Sequence, residues 1–505
     1  MVYSIISQME PPKSLFARLI LTQVKRFRKI LKDDRYFVFW FSLLFYFLLY
    51  FNLNNKTLLG FFFLFLFLFY KRFKDLPTSL LILYFLFLPI VKGKTFYFTL
   101  IPARLINSQI PYVYGFTVTF ADLALLGLFV WLIKNEIDAG WRVNKLSLGK
   151  GDFFLFVFLS FVFVSLFYSG FKTVSFLAFL KLTRFTAAYF LIRRFLLRLK
   201  IRKLVPLSLA ALLVFQGIWA GLQFTFQRPL GRSIEPFGDP LYTYGHTASE
   251  ESSFFRAQGT LDHPNTLGSF LVMFLAFILL QFFASRKKEE RKVFLASFLL
   301  GLTGLIFSAS RASWVAFLLI GLLVAFFLKK HRAMLTTTFF LPKKWLAVTF
   351  LLLIIFLPFL VLPRLSHLYL TLAEKGGVFY RTYLLEKAWL LALSSPLGIG
   401  LATFPAVLIQ KFGFFTWPAP VHNLFLEILS ETGIFSLFFF LFFLIFTYRR
   451  FFISLGFLKS KPEFFLKTGA FFASLGFLVT AQFYPFFWAS GIFEFFWLFL
   501  GIMIY

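Results

Sequence analysis

The chain has 505 residues, of which 60% are hydrophobic and only 14% are charged, and its mean hydropathy is +0.82. Soluble globular proteins average roughly 45–50% apolar and about 25% charged residues, so this composition excludes a water-soluble enzyme, a disordered chain and a fibrous repeat. The sequence contains no Cys, which excludes a disulfide framework, a thiolate nucleophile and a Cys-ligated metal.

The net charge of +31 has two possible origins. It would suit a protein that binds nucleic acid, but Lys and Arg also collect in the cytoplasmic loops of membrane proteins, where they meet anionic headgroups. Because the apolar content already indicates a membrane protein, we expect membrane lipids, and no nucleic acid, among its partners.

A basic arm opens the chain and a series of apolar runs follows it. The arm, residues 1–35, is too long and too charged for a cleavable signal peptide, so we expect it to lie at the cytoplasmic surface. The apolar runs have lengths near the roughly 20 residues that a membrane-spanning helix needs. They are Tyr36–Phe51, Leu58–Tyr70, Leu76–Val91, Thr117–Ile133, Asp152–Tyr168, Val174–Ile192, Leu204–Phe226, Thr266–Ala284, Val293–Ser308, Ser313–Leu328, Trp345–Leu362, Leu424–Tyr448, Phe464–Tyr484 and Gly491–Tyr505. Two of these runs are short, so the sequence predicts an all-α polytopic membrane protein with about 12 to 14 spanning helices.

The distribution of basic residues predicts the topology. If the N-terminus is cytoplasmic and the spans alternate, every strong basic cluster falls on one side, including Arg193–Lys203, Arg286–Lys292 and Lys329–Lys344. Cytoplasmic loops carry an excess of Lys and Arg, so we expect both termini in the cytoplasm.

Two of the external connections are long, and we expect function there because long structured loops on one face often carry it. The longer one contains an amphipathic stretch, Val378–Leu393, which should be a helix that ends before Pro396, since the residue before a proline avoids the helical conformation. The predicted regions are the basic arm (1–35), an N-terminal transmembrane bundle (36–226), an external loop (227–265), central transmembrane helices (266–362), a long external loop (363–423) and C-terminal transmembrane helices (424–505).

The first polar cluster, Arg256 to Phe270, begins the eighth predicted span. Pro264 fits the first helical position, with Asp262 or His263 near the cap. The free N–H groups of such a helix start, next to Arg256, would suit an anionic group. A capped helix with an arginine at the membrane interface is the alternative.

The second cluster, Ser308 to Trp314, is a tight external turn between two predicted spans. Ser310 is a candidate N-cap, and Arg311 stands at the start of the following helix. A guanidinium beside a helix N-terminus can hold a phosphate or pyrophosphate, although the same Arg could simply reach lipid phosphates.

The third cluster covers Tyr380 to Ala388, Ser394 to Pro405 and Pro418 to Gly433. His422 lies at the predicted start of a helix, followed on one face by Asn423, Glu427 and Glu431. The positive end of the helix disfavours imidazolium, so His422 would be neutral and able to act as a general base. A histidine that only forms a hydrogen bond at a helix start is the alternative.

Few charges lie within the spans. Lys181 and Arg184 are neighbours in one span, and Asp122 is a possible partner for an internal ion pair, with substrate contact as the alternative. The scattered His residues and the lack of a metal-binding motif or phosphate-binding loop predict no metal and no cofactor.

In order and spacing, these clusters resemble the O-antigen ligase and polymerase family of bacterial envelope glycan assembly. Four elements match in chain order: R-x-x-G-x-x-x-H-P-N, a Ser-Arg turn, R…P-x-G-x-G and H-N-x-x-L-x-x-x-x-E-x-G. The matching residues are Arg256, Gly259, His263, Pro264, Asn265, Ser310, Arg311, Arg381, Pro396, Gly398, Gly400, His422, Asn423, Glu431 and Gly433.

The resemblance implies a GT-C-type glycosyltransferase in the bacterial inner membrane with a periplasmic active site. It would move a glycan from undecaprenyl pyrophosphate to an acceptor hydroxyl, which in ligases belongs to the lipid A–core sugar. Arg256 and Arg311 would hold the pyrophosphate and His422 would activate the acceptor, with His263, Asn265, Ser310, Arg381, Asn423, Glu427 and Glu431 in support. The alternatives are a polymerase that uses a second lipid-linked glycan as acceptor, a protein-directed oligosaccharyltransferase of the same family, and a transporter or flippase.

Overall fold

A computed structural model describes residues 32–48, 54–90, 93–101, 112–138, 148–227, 230, 255–261, 263–331, 377–413, 419–458, 460–484 and 492–505. Most of the predicted basic arm, the predicted span Trp345–Leu362 and large parts of both long loops lie outside these residues. The same holds for Asp262 and Pro418.

Helices dominate the part of the chain that the structure describes. They are α1 (Asp34–Leu48), α2 (Asn55–Phe73), α3 (Leu76–Phe87), α4 (Phe120–Asp138), α5 (Lys150–Tyr168), α6 (Lys172–Phe195), α7 (Leu199–Phe226), α8 (Pro264–Ala284), α9 (Lys288–Ser308), α10 (Arg311–Lys330), α11 (Gly377–Ser394), α12 (Phe404–Phe412), α13 (Leu424–Thr432), α14 (Ile434–Leu455), α15 (Lys461–Thr480) and α16 (Ile492–Ile504). Each predicted apolar run within the described residues contains helix.

Eight of the described helices are long and apolar enough to cross a membrane: α5 to α10, α14 and α15. Together with the shorter apolar helices α3 and α16, they confirm the predicted all-α polytopic membrane protein. The protein is therefore a multi-pass membrane protein.

The centre of the bundle is formed by α8 and α16. Nearly every residue of α8 is buried, and every residue of α16 is. Both helices are apolar around their whole circumference, which is the pattern of a helix surrounded by other helices. Helix α8 packs against α7, α9, α10 and α15, while α16 packs against α6 and α15.

One predicted span proves to be two helices. The run Leu424–Tyr448 divides into α13 and α14 at Gly433, whose φ is +88°. The backbone there lies against Pro396, and Ile434 N donates to Pro396 O at 3.0 Å. A side chain at this position would collide with the Pro396–Leu397 backbone, so a glycine is required. The hydropathy of the run gave no sign of this break.

A β-hairpin that the sequence analysis did not anticipate lies between α3 and α4. Strands β1 (Gly93–Ile101) and β2 (Tyr112–Thr119) pair antiparallel. β2 runs directly into α4 and also contacts α6.

Ion pairs mark one end of the bundle, which we call the basic end. Arg72 pairs with Asp34, Arg198 with Asp75, Arg194 with Glu136 and Arg202 with Glu463. These pairs join the ends of spans that the alternating topology places on one side. The candidate site residues lie at the opposite end, which we call the site end.

Candidate functional site

The first polar cluster is held in place by two buried glutamines of α7. Gln223 Oε1 accepts from Gln258 N and Gly259 N, at 3.1 and 2.8 Å, while Gln223 Nε2 donates to Gly259 O at 2.8 Å. Two turns earlier in α7, Gln216 Oε1 accepts from Thr260 N at 3.0 Å. These hydrogen bonds satisfy buried backbone groups and fix the segment that carries Arg256.

Arg256 joins the first cluster to the second. Its Nε donates to Ser308 O at 3.1 Å, and one of its terminal nitrogens donates to Asn265 Oδ1 at 2.6 Å. His263 is the N-cap of α8, and its Nδ1 accepts from Asn265 N at 3.0 Å. The prediction of a cap at Asp262 or His263 is thus resolved in favour of His263, and Pro264 is the first helical residue as predicted.

The second cluster presents an exposed arginine. Arg311 is the first residue of α10 and is exposed at the site end. Ser310 occupies the predicted N-cap position, but its side chain makes no capping hydrogen bond. Its buried Oγ lies instead 2.8 Å from Ser313 Oγ and 3.2 Å from the Tyr484 hydroxyl. The side chain therefore links α10 to the segment after α15.

The amphipathic helix α11 brings Arg381 to the site. Its bounds agree with the predicted helix Val378–Leu393, and it ends at Ser394, before Pro396. Arg381 is exposed, and its Cζ lies 5.9 Å from the centroid of the Tyr484 ring. A cation over an aromatic face is attracted by the ring quadrupole, so Tyr484 helps to place Arg381.

The long loop has a small hydrophobic core of its own. The buried residues are Leu384, Ala388, Leu391, Ile399, Phe404, Val407, Leu408, Ala419 and Val421. They come from α11, from α12, from the segment between these two helices and from the segment that leads into His422. The described part of the loop is therefore a packed unit, which gives Arg381 and His422 a common support.

Glu431 ties the P-x-G-x-G segment to α13. Its side chain is fully buried, and its carboxylate accepts from Ala402 N at 2.7 Å and from Phe404 N at 3.1 Å. Phe404 begins α12, so the carboxylate lies at the N-terminus of that helix, where a negative charge is stabilised. Gly398, with φ of +89°, lies against the Glu431 carbonyl, and a side chain there would collide with it. The Glu431 side chain is engaged in structure; Glu427 is likewise fully buried.

His422 is half-buried just before α13. Its Nδ1 lies 3.0 Å from Pro420 O. A carbonyl can only accept, so Nδ1 carries the ring proton and Nε2 is the acceptor position. Burial lowers the pKa of His422 to about 4, with a further contribution from the Arg381 charge and partial opposition from the Pro420 hydrogen bond. The ring is neutral at physiological pH, as the sequence predicted, but burial is the main cause.

Two residues of the site, Gln482 and Tyr484, were missed in the sequence analysis. Asn423 caps α13 by accepting from Leu426 N at 3.0 Å, and its Nδ2 donates to Gln482 Oε1 at 3.1 Å. Gln482 and Tyr484 both follow the end of α15. A glutamine and a tyrosine at the outer end of a predicted span were a visible signal, because polar and aromatic side chains there lie at the membrane surface.

The in-membrane charges form a separate network. Arg184 pairs with Asp122 at 3.0 Å and with Glu494 at 3.1 Å, and the Tyr84 hydroxyl donates to Glu494 at 2.7 Å. Asp122 is thus a partner of Arg184, as considered from the sequence, whereas Glu494 was overlooked. Paired charges that join four helices indicate a structural ion pair for Arg184. Among the described residues, no group of three or more His, Asp and Glu side chains is placed to hold a metal ion.

The second and third clusters lie in a recognised family domain. Residues 296–441 match a family model described as O-antigen ligase. Over these residues the chain is similar to the O-antigen ligase family. The resemblance inferred from the motifs is confirmed, and the family indicates an O-antigen ligase or polymerase type of membrane glycosyltransferase. The match includes Arg311, Arg381 and His422 but neither Arg256 nor Tyr484. No curated protein matches the chain significantly.

Proposed function

We propose that the protein is an O-antigen ligase that transfers a glycan from undecaprenyl pyrophosphate to a hydroxyl of lipid A–core. The observation that carries the proposal is a series of contacts that links the three clusters, together with the effect of the Arg381 charge on His422. Arg256 bonds the Ser308 carbonyl, Ser310 meets Tyr484, Tyr484 lies under Arg381, and the Arg381 charge acts on His422. Residues far apart in sequence thereby form one surface at the site end.

The donor pyrophosphate would be held by arginines. Arg311 is exposed at the first position of a long helix, where the free N–H groups and the helix dipole both favour an anion. Arg256 is only half-buried and lies against the same turn. Guanidinium groups bind phosphate oxygens in a bidentate manner, so these two residues suit a diphosphate.

His422 would act as the general base through Nε2. The acceptor oxygen attacks the anomeric carbon of the donor sugar and loses its proton to Nε2. The bond from that carbon to the pyrophosphate oxygen breaks, and undecaprenyl pyrophosphate leaves with the bonding electrons. An anion bound near Arg381 would offset the positive charge that lowers the pKa of His422, and would make the ring a better base when donor is present.

The remaining work of the site is electrostatic. Pyrophosphate is already a good leaving group, so the enzyme mainly neutralises its developing charge and positions the acceptor. Neither task requires a cofactor. The exposed Arg311 and Arg381 and the neutral His422 supply charge and proton acceptance at the site end.

The orientation follows from the basic end. Basic residues gather at cytoplasmic surfaces, so the basic end would face the cytoplasm and the site end the periplasm of a bacterial inner membrane, with both termini cytoplasmic. Lipid-linked glycan and lipid A–core would then reach the site from the outer leaflet.

Reconstitution in proteoliposomes tests the proposal. Purified protein receives a lipid-linked glycan together with either lipid A–core or a second lipid-linked glycan as acceptor. A glycan joined to lipid A–core supports a ligase, and loss of that product in His422→Gln ties it to this site. Extension of the second lipid-linked glycan would indicate a polymerase. Movement of lipid-linked glycan across the bilayer without transfer would overturn both and indicate a flippase.

A further inference from the structure

The four residues after α15 contact the second and third clusters of the site. Ala481 O accepts from Leu424 N at 2.9 Å, at the start of α13, and Gln482 Oε1 accepts from the N-cap Asn423. Two residues later the Tyr484 hydroxyl lies 3.2 Å from Ser310 Oγ, and the ring lies beneath Arg381. This segment, 481–484, lies outside the family match at 296–441.

We propose that Tyr484 is a positioning residue that holds the Ser310–Arg311 turn and Arg381 in fixed places relative to His422. The kinetic consequences of this inference depend on the proposed function. Its structural consequences depend only on the described contacts. Tyr484 is 6% exposed and Ser310 is 1% exposed, so their contact is shielded from water. A hydrogen bond in such surroundings loses little to solvent competition.

The two parts of the Tyr484 side chain have separable roles. The hydroxyl fixes the turn that presents Arg311, and the ring fixes Arg381 above it. Tyr484→Phe removes the first interaction and retains the second, while Tyr484→Leu removes both. The backbone of the segment is unchanged in both variants, so its hydrogen bonds to α13 are preserved.

The chain offers a matched control elsewhere. Tyr448 OH donates to Ser474 Oγ at the same 3.2 Å, between α14 and α15 and within the spanning helices. Tyr448→Phe and Tyr448→Leu therefore reproduce the loss of a tyrosine–serine hydrogen bond without touching the site end. They report how much of any effect comes from general destabilisation.

Steady-state transfer in proteoliposomes is the first measurement. We expect Tyr484→Phe to lower kcat/KM about 5-fold, the effect of one neutral hydrogen bond, with thermal stability close to that of Tyr448→Phe. Tyr484→Leu should lower kcat/KM more strongly, raise KM for the donor and shift the acidic limb of the pH profile upward, because Arg381 is then free to leave His422. A purely structural role would leave KM and the pH limb unchanged. Equal kinetics in Tyr484→Leu and Tyr448→Leu would overturn the proposal.

A second measurement does not depend on catalysis. The chain has no native Cys, so spin labels can be attached at Glu386→Cys on α11 and Val315→Cys on α10, both exposed positions. We expect the label-to-label distance distribution to broaden in Tyr484→Leu and to keep its wild-type width in Tyr448→Leu. An unchanged distribution in Tyr484→Leu contradicts the positioning role even if transfer is impaired. The distribution could also broaden in Tyr484→Leu while the otherwise wild-type protein transfers no glycan. That result would contradict the proposed function but leave the positioning role standing.

Discussion

Arg256 Nε donates to the carbonyl oxygen of Ser308 at 3.1 Å, across 52 residues of sequence. The same guanidinium also bonds Asn265, at the start of α8. One arginine thus holds the end of α9 and the beginning of α8 together. Arg311, three residues after Ser308, is exposed and carries its charge outward. The two arginines that the motifs treat alike therefore differ in how much of the fold depends on them.

The first prediction separates these two arginines. Arg311→Ala should lose at least about 30-fold in transfer, since a charge-assisted phosphate contact is worth several kcal/mol, on the order of 2–5. Its thermal stability in detergent should match wild type, because the side chain is exposed. Arg256→Ala should lose transfer and also unfold at a lower temperature, because the Ser308 and Asn265 oxygens lose their donor. Lys at either position should rescue poorly, since an ammonium lacks the planar fork. Normal activity in either Ala variant would remove that arginine from the site.

The second prediction concerns Glu431. The carboxylate accepts two buried backbone N–H bonds, so Glu431→Gln, which can accept through only one oxygen, should leave one donor unsatisfied. We expect a loss of about 1–3 kcal/mol in stability, measured as unfolding in detergent. Glu386→Gln on the exposed face of α11 is the control and should unfold like wild type. A stable, inactive Glu431→Gln would instead assign the carboxylate a direct part in the reaction.

The third prediction tests orientation. Glu386 on α11 and Lys292 on α9 have nearly equal side-chain exposures, 58% and 57%, at opposite ends of the bundle. In the Cys-free chain, Glu386→Cys should react with a membrane-impermeant thiol reagent in intact spheroplasts, and Lys292→Cys should react only after permeabilisation. The reverse pattern would place the site in the cytoplasm and remove the argument for an external donor.

Local features of the fold were predictable, and contacts between distant segments were not. The end of α11 at Ser394 follows from Pro396, and the start of α8 follows from Pro264, because each depends on a neighbour in sequence. The meeting of Ser310 with Tyr484 spans 174 residues, and no periodicity or spacing encodes it.

The break at Gly433 shows the same limit within a single predicted span. By hydropathy alone, Leu424–Tyr448 is one apolar run, because hydropathy contains no information on the Pro396 backbone that packs against the glycine. Glu427 and Glu431 lie one turn apart in α13, but the two backbone donors to the Glu431 carboxylate come from Ala402 and Phe404, in a different segment. Sequence thus supplied the candidate residues, and packing decided which of them support the loop.

The last prediction is that His422 is the general base. The acidic limb of the pH profile of kcat/KM should then lie far below the usual imidazole range. The pKa of His422 is lowered to about 4, so kcat/KM of the free enzyme should hold steady from pH 8 to about pH 5 and fall below that. Arg381→Gln removes the nearby charge, so the acidic limb of the kcat/KM profile should move to higher pH in this variant, although burial keeps it below pH 6.5. His422→Ala should cut turnover by roughly 100- to 10,000-fold with little change in donor binding, and His422→Gln should remain inactive.

The pH dependence of stability supplies an independent check on His422, and the lowered pKa fixes the direction of the effect. Because the pKa is lower in the folded state than in the unfolded chain, the unfolded chain binds more protons between about pH 6.5 and pH 4. The contribution of His422 to stability is therefore fully retained above pH 6.5 and is lost as the pH falls toward 4. Unfolding of wild type and His422→Gln, followed across this range in detergent, should show the smaller pH dependence in His422→Gln. If the two pH dependences coincide and His422→Gln keeps near-normal turnover, then His422 only orients the acceptor. The proton would then have to pass to another group, of which the buried Glu427 on the following turn is the first to test.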